Sequence, residues 1–226
     1  MCQRFALSLP PDAVRSYFDH VNEELYPPRY NIAPTQPVAI VRQSHKKQRE
    51  LALVRWGLIP SWVKDPGEFT TIVNARAETA TVKPSFRAAI RHRRCLFPAS
   101  GFYEWTGPRG DKQPHLISSV DSGPMALAGL WEHWLGADGS EMESAAIITV
   151  PANREMRPIH DRMPLILKPD QFDTWLDVTP GSANDVEPMM ATSKDGSVRI
   201  VAVSRTLNNW RNDGPEVQEP VNPAML

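Results

Sequence analysis

The sequence predicts an α+β fold: a single domain with a strongly curved, barrel-like antiparallel β-sheet core flanked by helices. Three observations lead there. Short β-type runs recur along the chain, only a few segments carry helical periodicity, and turn residues separate them without a linker. A chain of 226 residues with 41% hydrophobic residues can bury a sizeable core. Its 22 prolines are scattered, and no internal repeat is evident. One domain is expected over residues 1–226, with the tail from about residue 208 at its periphery.

The first element is a helix. PPDAVRSYFDHVN has Pro11 in its first turn and sets Val14, Tyr17, Phe18 and Val21 on one stripe. PVAIVRQ (37–43), ELALVRWGL (50–58) and TTIVNAR (70–76) then read as strands, with SHKKQR as a hairpin loop. SFRAAIRHRR (85–94) reads as a basic helix. RCLFPAS, GFYEWT, PHLISSV, MALAGLWEHW and SAAIITV return to strand character, and the turn-rich GPRGDKQ joins GFYEWT to PHLISSV. PDQFDTWL, with Pro just inside, and ANDVEPMMATS read as helices, and VRIVAVS closes the strands.

No apolar run approaches the roughly 20 residues of a membrane span. Pro10 and Pro11 cut short any secretory h-region, so a cytoplasmic protein is expected, with its two cysteines reduced. The formal net charge of -1 conceals an asymmetry. Residues 1–120 hold 17 Lys+Arg against 10 Asp+Glu, whereas residues 121–226 hold 8 against 16. Either a basic face meets phosphates, or the two halves pair their charges across the fold.

Cys2 stands where a chain is usually frayed and least able to bury a thiol. Removal of Met1 would give this residue both an α-amine and a thiol. An α-amine has a pKa of ~7.7–8.0 against ~10.4 for lysine, so it is a ready nucleophile near neutrality. An aldehyde attacked by that amine gives a Schiff base, which the thiol can close into a five-membered thiazolidine.

Three further motifs carry candidate chemistry. Strand alternation puts Asn74 and Arg76 of TIVNARAET on one face, and Glu104 of GFYEWT beside Phe102. A carboxylate partly desolvated by Phe102 would have a raised pKa suited to general acid–base work. His160 of PIHDRMPLIL follows a proline-containing turn and precedes an apolar run. Cys95 reads as core and His92 as part of a basic helix face, so no metal site is expected.

Together the fragments MC-R at the start, RYNIAPTQ (29–36), RWGLIPSW (55–62), NARAET (74–79), GFYEW (101–105) and HDRMP (160–164) fall in a known order. The sequence resembles the SRAP family, the SOS-response-associated peptidase domain proteins that process abasic sites in DNA, from Cys2 through Ser204. The resemblance implies a DNA-damage role in which Cys2, frayed and exposed, captures the ring-opened deoxyribose aldehyde of an abasic site. Asn74 would hold the N-terminus and the sugar, Glu104 would move protons, and His160 would hydrogen-bond the sugar hydroxyl. Arg4 and Arg76 would bind flanking phosphates, and Trp62 and Trp105 would stack on neighbouring bases. Trp56, Trp131, Trp134, Trp175 and Trp210 are assigned to core packing.

The implied partner is single-stranded DNA with abasic sites, including single/double-strand junctions. A monomer is expected, nucleoid-associated when on DNA, with no cofactor and no membrane partner. The peptidase of the family name would be removal of residues ahead of Cys2. Gln3 departs from the family's glycine. Two alternatives stay open: an N-terminal-nucleophile amidohydrolase acting through Cys2, and a non-catalytic single-strand binder.

Overall fold

The computed structural model describes residues 2–23 and 26–221. In chain order its elements are β1 (Phe5–Leu7), α1 (Pro11–Phe18), β2 (Arg29–Ile32), β3 (Pro37–Gln43), β4 (Arg49–Trp56), β5 (Asn74–Arg76), α2 (Ala77–Ala80), α3 (Ala89–His92) and β6 (Arg94–Ala99). There follow β7 (Gly101–Thr106), β8 (Gln113–Ser119), β9 (Met125–Leu135), β10 (Glu141–Pro151), β11 (Arg162–Pro164), β12 (Ile166–Leu167), α4 (Phe172–Leu176), α5 (Ala183–Val186) and β13 (Val198–Ala202).

The larger sheet closes on itself. β10 pairs with β4, β4 with β3, β3 with β6, β6 with β9, and β9 returns to β10. Closure into this five-strand barrel bears out the predicted curvature. The closing pair β4–β10 is parallel, whereas the other four pairs are antiparallel. The smaller sheet runs β13-β8-β7-β1-β2, antiparallel throughout. Phe5 of β1 ties the two together, meeting Trp56 edge-on at 5.1 Å and Phe97 at 6.1 Å between ring centroids. Such contacts add about 0.5–1.5 kcal/mol each beyond their buried area.

The sequence explains the tight barrel interior. β6 and the first six residues of β9, MALAGL, are buried throughout, as expected of strands with protein on both faces. At Gly129 a Cβ would fall 2.4 Å from the Phe97 ring, so only glycine lets β9 approach β6 here.

Several local expectations change. The helical stripe of α1 ends before Val21 because Asp19 turns into the left-handed region at φ 52°, which leaves Val21 51% exposed. Only Asn74–Arg76 of the 70–76 run is a strand, and the basic 85–94 segment becomes turns followed by the single turn of α3. The segment after Asn208 is anchored to β2. Asp213 accepts hydrogen bonds from the backbone amides of Tyr30 (2.6 Å) and Asn31 (2.7 Å). The buried Asn31 amide donates to the carbonyls of Leu207, Asn209 and Asn212. Short β1 and β2 escaped prediction because three or four residues give too little periodicity to read.

Candidate active site and nucleic-acid face

The barrel's longest strands position the site. β10 pairs with β4 at Ser144 and Ala145, then with β5 at Ile147, Ile148 and Thr149. The chain therefore leaves the barrel after Trp56 and rejoins the same strand edge at Asn74. There Asn74 is half-buried, Ala75 buried and Arg76 exposed.

Asn74 reaches the chain's beginning, its Nδ2 donating to the Cys2 carbonyl at 2.8 Å. Phe5 pairs with Phe102, and the Tyr103 amide donates to the Arg4 carbonyl at 3.0 Å. Continued in this antiparallel register, residues 2–4 run alongside the strand that carries Glu104. Phe102 and Glu104 share a face, and both are buried.

The electrostatics agree with this placement. Burial, and then the Glu104 carboxylate, push the Cys2 thiol far above its usual range. Burial also raises the Glu104 carboxyl, while His160 opposes the rise. The four predicted catalytic residues Cys2, Asn74, Glu104 and His160 thus come from four separate segments to one place. His160 Nδ1 lies 2.9 Å from the Arg162 amide and 2.9 Å from Asp161 Oδ1. The amide can only donate, so the ring accepts from it at Nδ1 when its proton sits on Nε2, whereas a proton on Nδ1 is donated to Asp161 instead.

One expectation is overturned: Cys2 is not frayed and exposed. It is 1% exposed, its Sγ lies 3.6 Å from the Arg4 carbonyl, and it belongs to the main hydrophobic core. Apolar neighbours and β1 pairing hold it, forces that chain position alone does not disclose.

The predicted DNA-facing residues divide. Arg76 is exposed, and its guanidinium makes no ion pair or hydrogen bond among the described residues. Glu78 instead takes a bidentate contact from Arg162, at 2.7 and 2.9 Å. Arg4 is partly committed: Nη1 donates to Asn31 Oδ1 (2.8 Å) and the Leu207 carbonyl (3.3 Å). Its guanidinium lies 5.9 Å from the Trp105 ring centroid. Trp62 is 57% exposed and edge-on to Phe69. Trp105 is half-buried, with its Nε1 donating to Asn208.

Of the tryptophans assigned to the core, Trp56, Trp134 and Trp175 are buried, and Trp131 is half-buried beneath Arg42. Trp210 is not in the core; it is 47% exposed, because the anchored tail turns it outward. Cys95 is buried and His92 exposed, as read from the sequence. The charge asymmetry is partly internal. Arg29, Arg42, Arg49 and Arg93 pair with Asp213, Glu143, Asp173 and Glu132 of the acidic half.

The model of the SOS response associated peptidase (SRAP) family matches residues 1–210. The chain belongs to the SRAP family. Abasic site processing protein YoqW of Bacillus subtilis is 35% identical over 224 residues, covering 97% of this chain and 99% of that protein. Abasic site processing protein HMCES of Xenopus tropicalis is 32% identical over 261 residues, covering 96% of this chain and 77% of that protein. A crystal structure of a Bacteroides thetaiotaomicron protein superposes with a TM-score of 0.85 at 25% identity, covering 97% of this chain and all of that one. Membership in SRAP accords with the α+β barrel. No helix among the described residues is long and apolar enough to cross a membrane.

Proposed function

We propose that this SRAP protein processes abasic sites in single-stranded DNA, forming a covalent bond between Cys2 and the lesion. The observation that carries the reading is the Asn74 hydrogen bond to the Cys2 carbonyl at 2.8 Å, made where Glu104 and His160 also converge. Membership in SRAP and the printed names of its relatives supply the substrate.

Removal of Met1 frees the Cys2 amine. That amine adds to the aldehyde of the ring-opened deoxyribose, and the carbinolamine loses water to give an imine. The thiol then adds across the C=N bond: sulfur bonds to the former aldehyde carbon and the nitrogen takes the proton. One water is released in all. Glu104, its carboxyl raised by burial, relays the protons. It protonates the departing hydroxyl, recovers the proton nitrogen gives up as the imine forms, and at closure passes a proton to that nitrogen while taking the thiol's. His160 hydrogen-bonds the opened sugar. The recessed Cys2 also suggests selectivity, because a sugar without its base is the slimmest nucleotide and the one able to reach it.

The test is to incubate Met1-processed protein with a single-stranded oligonucleotide holding one abasic site, then denature. A shifted covalent band is expected, absent with an intact strand. Cys2→Ala should bind DNA yet give no stable adduct, and Cys2→Ser should stop at a hydrolysable one. A stable adduct from the alanine variant would overturn the assignment.

A further inference from the structure

Residues 3 and 4 form a ridge between two surface clefts. One, of about 510 Å³, is lined by Gln3, Arg4, Trp105 and Lys112 among others. The other, of about 420 Å³, lies against the same two residues and is walled by the turn Ala33–Gln36 and by Trp210. The second cleft contains part of RYNIAPTQ, a motif that the reaction leaves without a role.

Its walls are rigid by construction. Thr35 adopts φ 73°, a left-handed conformation that a β-branched residue avoids. The turn is held against that strain: the Thr35 amide donates to the Trp56 carbonyl at 2.7 Å, and Gln36 Oε1 accepts from the Ala33 amide (3.0 Å) and from Arg29 Nη2 (2.8 Å). Across the cleft, the loop that carries Trp210 is fixed by the Asn31 and Asp213 hydrogen bonds. The Arg211 guanidinium lies 5.0 Å from the Trp210 ring centroid, and Arg211 does not line the cleft. The indole is therefore half exposed beside a cation, and held without the loss of loop entropy that a free tail would bring on binding.

We propose that Trp210 is a stacking platform for one nucleobase of the lesion-bearing strand, immediately beside the abasic sugar at Cys2. This rests on the reading of Cys2 as the lesion-binding residue. The cleft begins at Gln3 and Arg4, next along the chain from Cys2, so a base entering it belongs to a neighbouring nucleotide. Stacking on an aromatic face tolerates any base, as a lesion met in arbitrary sequence requires. The exposed Arg211 supplies positive charge for that nucleotide's phosphate.

The test uses the Met1-processed full chain and single-stranded oligonucleotides carrying one abasic site, with fluorescent 2-aminopurine on its 5′ or its 3′ side. Quenching is expected at one flank only. Trp210→Ala should relieve it and weaken binding about tenfold, while Trp210→Phe keeps most of both. Circular dichroism establishes that the variants fold. The proposal is overturned if Trp210→Ala binds with unchanged affinity, or if affinity falls with quenching unaltered, since Trp210 would then act through another group. Cys2-dependent crosslinking, scored in the same samples, separates the readings. A crosslink that forms normally with no Trp210-dependent quenching refutes this proposal alone, whereas no crosslink in the wild type refutes the parent reading.

Discussion

Asn74 and Cys2 are 72 positions apart in sequence, yet the Asn74 side-chain amide donates to the Cys2 carbonyl at 2.8 Å. The bond fixes the backbone of the residue whose amine and thiol are proposed to react. It also uses the amide's donor end, while Asn74 Oδ1 is buried without a partner among the described residues. An acceptor oxygen in that position suits a hydroxyl or an ammonium brought to Cys2.

Asn74→Asp should therefore separate orientation from packing. The shapes match, but a carboxylate cannot donate to the Cys2 carbonyl. Crosslinking is expected to slow by about tenfold or more, with a stability loss of about 1 kcal/mol for one hydrogen bond. Single-turnover crosslinking rates alongside denaturant melts check it. Equal rates for the two proteins would leave Asn74 a purely structural role.

Glu104 makes a pH-dependent prediction. Burial raises its carboxyl above the usual 4.5, so the folded protein holds this proton more tightly than the unfolded chain. Its contribution to stability is fully present below about 4.5 and is lost as pH rises through the elevated value. Glu104→Gln removes that loss. The variant should be at least as stable as wild type at pH 7, with the advantage shrinking toward pH 4, yet slower in both forming and reversing the crosslink. Melts across that range decide the first point. A variant destabilised equally at both ends would mean that Glu104 holds the fold through its hydrogen bonds.

Much of this site was legible before the fold. Strand alternation alone put Asn74 with Arg76 and Phe102 with Glu104, because a two-residue period survives whatever the strand packs against. The burial of Cys2 was not legible, since it depends on a three-residue strand lodged between two distant partners. Trp210 was misread for a related reason. An aromatic side chain near the end of a chain looks like core until Asn31 and Asp213 are seen fastening its loop from outside. Closure of the barrel through the parallel β4–β10 pair leaves no local mark in either strand.

Arg76 is the cleanest electrostatic test. Its guanidinium contributes no ion pair among the described residues, because Glu78 is already held by Arg162. Arg76→Ala should leave the melting temperature within error and weaken binding to abasic single strands. The slope of log affinity against log salt should flatten by about 0.7 if one single-strand phosphate contact is lost. An unchanged slope would show that Arg76 touches no phosphate.

The resemblance to SRAP implies a glycine where this chain has Gln3, and the structure gives the two possible uses of such a glycine different weight. Gln3 is not among the residues with positive φ, so nothing in the backbone here demands glycine. What remains is access. Gln3 is exposed and lines both clefts beside Arg4, so under the proposed function its side chain occupies space that DNA approaching Cys2 would share. A flexible side chain at a cleft mouth can swing aside, at an entropic cost well below that of moving backbone. Gln3→Gly should accordingly preserve crosslinking and change its rate by less than about tenfold, or ~1.4 kcal/mol of barrier. The same substitution should lower folding stability by about 0.5–1 kcal/mol, because the unfolded chain gains freedom at residue 3. Crosslinking kinetics of the two proteins on one abasic oligonucleotide are the measurement. A glycine variant faster by far more than tenfold would mean that Gln3 blocks the lesion's path and throttles the reaction in this protein.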